Sequence, residues 1–529
     1  MILILIFLQL FTLTSIDGLK ILAIAPQFGI SHVRFTGFAL DILIKAGHDV
    51  TFLLPPMDPT CTITGTKLAK IVTTDESPDL KKITTEIVDN KTSFWLSETG
   101  NIFTFLGFIE KFQKSFEMHC ERLINNDTLT EIMRNEKFDL GIVEIFDYCA
   151  FGLFKLYNIP AHVGIIASNL PSAMYKHVGL TYPIAQLPEM FTDFSYSKMT
   201  FFNRVGNFFG FFMGKTFSDN LAEKENQLFK NKFGEHFVDI NQQIRDSSFL
   251  IVNANPFADN THPTLSKIIE IGGFAMKESK PLDEEWDKIM SKKKHTILIS
   301  FGSVAKSVDM PLKMKDAFME AFKKLPDVMF IWKYENPDDE YIKKMDNLYL
   351  SKWVPQTDLL NDTRLTGFLT HSGQNSLQEA AYYGVPLICL GIFADQNRNA
   401  KIAENLGFGT VLKKQDAFDS KNIENAFKKL LDNNELKKNG KRISDMIKNR
   451  PGNITKTFIE YVEFAGKFKK LPHLNMEGHK LNIFQYALLD VILFLLTIAT
   501  LVISILGFII FKITKMIYVK VTGKKTKVE

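Results

Sequence analysis

Cysteine is scarce: Cys61, Cys120, Cys149 and Cys389 are the only four in 529 residues, and no C-x-x-C joins them. That excludes a disulfide-built scaffold and indicates neither a zinc site nor a redox pair. An excess of one charge is also missing. Lys and Arg number 63 against 59 Asp and Glu, a net charge of +4, too near balance for a nucleic-acid binder. No internal repeat of short period is present. The chain is 46% hydrophobic and 23% charged, the composition of a folded protein rather than a disordered one. At roughly 150 residues per domain, its length implies two large domains or three ordinary ones. What it has in excess is phenylalanine, 47 residues.

The two ends point to a membrane. Met1 to Leu13 is almost wholly apolar and is followed by Ser15-Ile-Asp-Gly18. This reads as a signal peptide over residues 1–18, although a basic n-region is missing. The alternative is a buried first strand, but a better strand begins at once with Lys20. Val491 to Phe511 is a run of 21 residues without a charge. In a helix it spans about 31 Å, enough for a bilayer core. Beyond it, residues 512–529 carry Lys512, Lys515, Lys520, Lys524, Lys525 and Lys527 against Glu529 alone. Basic flanks stay cytosolic, so the expectation is a single-pass type I protein with residues 19–490 lumenal or extracellular. Lys525-Thr-Lys527-Val-Glu529 resembles a dilysine retrieval signal and points to the endoplasmic reticulum membrane; a solvated basic tail is the alternative. Asn90, Asn126, Asn361 and Asn453 head N-x-T sequons, all on the expected lumenal side.

Between these ends, strand and helix alternate. Apolar runs at Lys20–Pro26, His48–Leu54, Phe138–Val143 and Ala161–Ile166 read as buried parallel strands, with a helix over Val33–Lys45. The polar stretch around Lys277–Glu285 suits a linker. A second series follows, with strands at Thr296–Phe301, Val328–Trp332, Leu348–Trp353, Thr366–Thr370 and Leu387–Leu390. The expected divisions are an α/β domain over 19–275, a linker over 276–294, a second α/β domain over 295–452, a returning helix and juxtamembrane segment over 453–490, and the span over 491–511.

The chemistry of the second half centres on Thr366–Thr370, a strand that runs into His371-Ser-Gly-Gln-Asn-Ser376 and a helix. A strand feeding a glycine-containing turn into a helix N-terminus makes an anion site. Gly373 allows close backbone approach, Asn375 and Ser376 add donors, and Glu379 lies where a carboxylate can accept two ribose hydroxyls. Trp353-Val-Pro-Gln356, His371 to Glu379, Gly384-Val-Pro386 and Phe393-Ala-Asp-Gln396, in that order, closely resemble the nucleotide-sugar signature of the UDP-glycosyltransferase family. The best match is its membrane-bound, UDP-glucuronosyltransferase-like branch. Ser300-Phe-Gly-Ser303, Met199–Val205 and Asn482–Tyr486 also resemble that branch, and the resemblance covers nearly the whole chain.

The resemblance implies a GT-B fold, two Rossmann-like domains with parallel sheets facing a cleft. It also implies roles. Trp353 stacks on uracil and Gln356 binds near base and ribose. Ser303, His371, Gly373, Asn375 and Ser376 hold the diphosphate, and Glu379 takes the ribose hydroxyls. Asp395 and Gln396 bind the sugar. Ser372 departs from the pattern, standing where a second glycine is common.

His32 follows the first strand at the sheet edge where open α/β folds place their sites, and Gly29-Ile-Ser-His32 resembles the family's catalytic histidine. Transfer to a hydroxyl needs a base, and imidazole suits it near neutral pH. A carboxylate on its other nitrogen would fix the tautomer. Phe138-Asp-Leu-Gly-Ile-Val-Glu144 puts Glu144 where the family usually has Asp; Asp147 is the rival, or a helix cap. The chain has no D-x-D, the pair that commonly holds a diphosphate through a cation. With the helix end and His371 available to neutralise charge, no metal and no other cofactor is expected. The implied reaction is inverting transfer of glucuronic acid to small lipophilic acceptors, a detoxification chemistry, with glucose as the alternative sugar. A catalytically silent lipophile-binding protein or partner subunit is the alternative of a different class. Expected partners are the UDP-sugar, the acceptor and the membrane; a homo- or hetero-oligomer stays open. Finally, Phe191 to Phe217 holds nine phenylalanines, too many for a single buried helical stripe. They read either as core packing or as a surface for lipid or acceptor.

Overall fold

The computed structural model describes residues 18–89, 95–96, 102–196, 198–274, 276 and 279–523. Residues 1–17 of the expected signal peptide, the Asn90 sequon and the Lys525–Glu529 tail lie outside them. The described chain forms two compact units, one running to His177 and from Thr181 to Asn475, the other joining Val178–Leu180 to the segment from Met476 onward.

The first unit contains two parallel sheets. The first has strand order β3-β2-β1-β4-β5-β6-β7, from β1 (Lys20–Ile24), β2 (Asp49–Leu53), β3 (Lys70–Val72), β4 (Leu140–Glu144), β5 (His162–Ile166), β6 (Leu250–Val252) and β7 (Ile268–Glu270). The second has order β10-β9-β8-β11-β12-β13, from β8 (His295–Ser300), β9 (Val328–Lys333), β10 (Leu348–Ser351), β11 (Leu365–Thr370), β12 (Leu387–Cys389) and β13 (Gly409–Val411). Both are doubly wound, with a switch point beside the first strand of each series. Helices cover both faces, so inner strands read as continuous apolar runs: Ile21, Leu22, Ala23 and Ile24 are all fully buried. Helix α1 (Ile30–Lys45) buries Val33, Phe35, Ala39, Leu40 and Leu43 against the first sheet. A helix over Glu284–Met290, capped by Asp283, occupies part of the segment expected as linker and buries Ile289 and Met290 in the second domain.

Three further helices fix the surroundings of the site. Helix α2 (Ile102–Ile124) is joined to the start of α3 (Cys149–Leu156) by a Cys120–Cys149 disulfide across 29 residues of sequence. Cys61 and Cys389 are buried free thiols. A crosslink over that length restricts the unfolded chain by about 3–4 kcal/mol. Replacing both cysteines by alanine should lower the urea midpoint accordingly; an unchanged midpoint would show that the crosslink adds nothing. Helix α4 (Phe201–Phe233) begins with a Thr200–Asn203 capping box. Its phenylalanines divide. Phe211 stacks on Tyr182 and Phe217 meets Phe112, whereas Phe201, Phe202, Phe208, Phe209 and Phe212 are exposed. Core packing therefore accounts for only part of that stretch.

The chain returns to the first domain through helix α7 (Ile454–Phe468), whose Phe458, Val462 and Ala465 complete the first core. Helices α5 (Gln374–Tyr383) and α6 (Gln396–Asn405) carry or begin beside most of the residues expected to bind the UDP-sugar. The sequons differ in setting: Asn361 is exposed, while Asn126 and Asn453 each cap a helix through their side-chain oxygens. In the second unit, α8 (Leu489–Thr522) is 34 residues long and by length and composition able to cross a membrane. It runs 11 residues past the apolar stretch that ends at Phe511, continuing through Lys512, Lys515 and Lys520.

Candidate active site

Strands β1 and β4 are neighbours in register, with Ile24 beside Val143. Their C-terminal ends therefore deliver the next residues of each connection to one edge of the sheet. Gly29, at φ +67°, opens α1, and His32 sits in its first turn. Glu144 is the last residue of β4. The His32 Nδ1 lies 2.8 Å from Glu144 Oε1. Glu144 also accepts the backbone N–H of Ala167 at 3.2 Å and that of Phe146 at 2.9 Å. Its side chain is 2% exposed, that of His32 26%, so the carboxylate is enclosed and the imidazole reachable. Burial pulls the His32 pKa down, but the charge and hydrogen bond of Glu144, with the charge of Asp395, outweigh it and hold it above the usual value. A ring donating Nδ1–H to Glu144 leaves Nε2 as the free base. The Phe146 ring lies 5.0 Å from the imidazole, and Phe28, Phe112 and Phe116 pack around Phe146.

Asp147 is placed differently. One oxygen accepts the N–H of Cys149 at the start of α3, and the other lies 3.9 Å from the buried His119. Burial pushes the Asp147 carboxyl up to about 7 and pulls His119 down to about 3.

In the second domain, β8 and β11 are adjacent, with Ser300 beside Thr370. The loops that follow them converge on His371. A side chain on Gly302, which has φ +80°, would put its Cβ 2.7 Å from the imidazole, and one on Gly373 would put it 2.5 Å away. His371 is thus wedged between the two phosphate-type loops. Ser303 follows Gly302, half-buried in the same turn. Burial, then repulsion from Lys333, pulls the His371 pKa to about 4. In that neutral state His371 offers an anion a hydrogen bond, the donor role expected of it towards a phosphate oxygen. The charge nearby is that of Lys333, whose ammonium donates to the Gly302 carbonyl.

The other expected donor-site residues cluster on the same edge. Gly373 is the N-cap of α5, with Asn375 and Ser376 in its first turn. Gln356 Nε2 donates to Glu379 and, at 3.3 Å, to Ser376. Trp353 stands in the bend after β10, 60% exposed. Asp395 accepts from Asn399 Nδ2 at 2.7 Å, and the same amide donates to the Ser372 carbonyl at 3.1 Å. Gln396 uses its side-chain oxygen to accept the N–H groups of Ile392 and Phe393. Ser372 and Ala394 both hold φ near +60° (64° and 54°). Non-glycine residues in that region are strained by roughly 1–3 kcal/mol, and such strain gathers at functional sites. Among the described residues, no three His, Cys, Asp or Glu side chains come together as a metal site.

The two halves meet across the cleft. Asn253, just after β6, donates to Asn375 Oδ1 at 3.0 Å and accepts from Gln374 at 3.1 Å. Arg398 on α6 pairs with Asp259 at 3.2 Å. Asn253, Lys333, Asn399 and Arg398 were not singled out by the sequence. For Lys333 a signal existed, a lysine closing the apolar strand Val328–Lys333 at the sheet edge that carries the loops.

A profile of the family described as UDP-glucoronosyl and UDP-glucosyl transferase matches residues 20–528. The chain belongs to this family of UDP-glycosyltransferases. It is 29% identical over 526 residues to UDP-glucuronosyltransferase 1A8 of Homo sapiens, covering 96% of this chain and 93% of that one. It is 28% identical over 492 residues to UDP-glucosyltransferase 2 of Dactylopius coccus, covering 92% and 91%. Among solved structures, the glycosyltransferase VinC in complex with DTDP matches with TM-score 0.56 at 14% identity, over 85% of this chain and all of that one. Os79 from O. sativa, in complex with U2F and trichothecene, matches with TM-score 0.56 at 14% identity, over 84% and 100%. These likenesses show the GT-B fold. The transferase therefore has two Rossmann-like domains, and its family transfers glycosyl groups from UDP-sugars.

Proposed function

We propose that the transferase moves glucuronic acid from UDP-glucuronate to a hydroxyl of small lipophilic acceptors, with inversion, forming β-glucuronides. The observation that carries the reading is the His32–Glu144 pair at 2.8 Å, within electrostatic reach of Asp395 on the donor domain. His32 Nε2 takes the acceptor proton as the oxygen attacks the anomeric carbon from the face opposite UDP. One displacement turns the α-linked donor into a β-glycoside. Glu144 stabilises the imidazolium that forms. The departing diphosphate is met by the α5 N-terminus, the His371 N–H and the Lys333 ammonium, which together do the work of a cation. The half-buried Phe146 ring, 5.0 Å from the imidazole, favours an apolar, aromatic acceptor.

Glucose is the second reading for the sugar. Arg398, two residues beyond Gln396, is already paired with Asp259, and a donor carboxylate would have to compete for it. For location, the disulfide fits an oxidising compartment and α8 fits an anchor. We place the catalytic domains in the endoplasmic reticulum lumen.

His371→Ala and Glu379→Ala should each raise the KM for the UDP-sugar and weaken UDP binding by about ten- to a hundredfold, the worth of a hydrogen bond to a charged group. EDTA should leave activity intact. Unchanged UDP affinity in both variants would remove this loop from the donor site, and loss of activity in EDTA would show a metal requirement.

A further inference from the structure

Trp353, the ring expected to stack on uracil, meets two cations. The Arg34 guanidinium carbon lies 5.3 Å from its centroid and the Lys333 ammonium 5.9 Å. Lys333 is a donor-domain residue, its side chain 11% exposed, and it reaches the Gly302 carbonyl beside Ser303. Arg34 comes from the other domain. It is exposed and lies on α1, two residues past His32. Residues i and i+2 of a helix face different directions, so α1 presents its base to one part of the cleft and its guanidinium to another.

This concentration of like charge is costly. Burial, and then repulsion from Arg34 and Lys306 set against the attraction of Glu335, pull the Lys333 ammonium below its usual range. Glu335, 3.7 Å from Lys333, is the carboxylate paired with it. Among the groups that act on Lys333, the carboxylate of Glu335 faces the two cations Arg34 and Lys306, beside a loop with half-buried Gly302 and Ser303. An anion bound there would be attracted by Arg34 and Lys333 together. A guanidinium also has the planar donor set that matches phosphate oxygens.

We propose that Arg34 is a donor-binding residue contributed by the acceptor domain, its guanidinium joining Lys333 on the diphosphate of the UDP group. The inference rests on the donor-site reading above and extends it. The nucleotide then ties α1 to the donor domain, so that binding UDP-sugar fixes the helix that carries His32.

The test is calorimetric titration of the detergent-solubilised full chain with UDP and, separately, with uridine, for wild type, Arg34→Ala and Arg34→Lys. Arg34→Ala should weaken UDP about tenfold and raise the KM for UDP-sugar to match, with uridine binding unaltered. Arg34→Lys should recover part of the UDP affinity, because it keeps the charge and loses the fork. UDP affinity unchanged in Arg34→Ala overturns the proposal alone. Equal weakening of UDP and uridine also overturns it, since the side chain would then act on the Trp353 ring rather than on phosphate. A wild-type chain that binds no UDP overturns both this inference and the donor-site reading. Wild-type UDP binding without sugar transfer leaves Arg34 judged by its own titrations and counts against the catalytic reading only.

Discussion

His32→Ala should lower kcat by roughly 10²–10⁴-fold on an alcohol or neutral phenol, while UDP binding stays at the wild-type level. The base acts on the acceptor proton, which is absent from the nucleotide, so the two measurements separate. A strongly acidic phenol should lose less, because it arrives already ionised. Near wild-type turnover on a neutral acceptor would remove His32 from the reaction. The pH profile adds a second reading of the same residue. Burial lowers the His32 pKa, but Glu144 and Asp395 more than reverse it. The active form is the neutral ring. Activity on a neutral acceptor should therefore rise with pH through an apparent pKa above the ordinary histidine value of about 6.5.

Glu144→Gln should be comparably severe, losing roughly 10²–10⁴ in kcat. The amide keeps the shape of the carboxylate but not its charge. Its NH2 group must replace one of two oxygens that both accept hydrogen bonds, Oε1 from Ala167 beside His32 and Oε2 from Phe146, and it leaves the imidazolium uncompensated. Its acid limb should also move to lower pH, because the carboxylate is what raises His32. Asp147→Asn should leave kcat close to wild type: one oxygen accepts the Cys149 N–H, which an amide can still do, and the other has no hydrogen-bond partner among the described residues, His119 lying 3.9 Å away. The opposite order of severity would transfer the orienting role to Asp147.

Much of this was legible in the sequence. Strands such as Lys20–Ile24 and His295–Ser300 are buried on both faces and announce themselves as apolar runs. The turn at His371–Gly373 sits between a clear strand and a clear helix, which is all that a phosphate-type loop requires. The three-residue strands Lys70–Val72, Leu250–Val252, Ile268–Glu270 and Gly409–Val411 were not legible. They are too short to carry a period, and they exist because the neighbouring strand offers a ladder. The pairing of Cys120 with Cys149 depends on how α2 crosses α3, which no spacing states. Trp95 is a further case: carried by the first half of the chain, it is buried in the second domain's core and donates to the Lys306 carbonyl. Likewise Arg34 and Trp353, or Asn253 and Asn375, meet only because two sheets face each other. The protonation of His371 is a property of its enclosure between Gly302 and Gly373 rather than of its neighbours in sequence.

The measurement closest to the central claim is the anomeric configuration of the product. Full-length protein in microsomes would be given UDP-glucuronate, UDP-glucose or UDP-N-acetylglucosamine with a neutral phenol, and the conjugate analysed by proton NMR. The account predicts a β-linked glucuronide, with the large H1–H2 coupling of two axial protons, and its loss in His32→Ala. A β-glucoside alone would reassign the sugar and keep the mechanism. An α-linked product, or no conjugate from any of the three donors, would contradict the account.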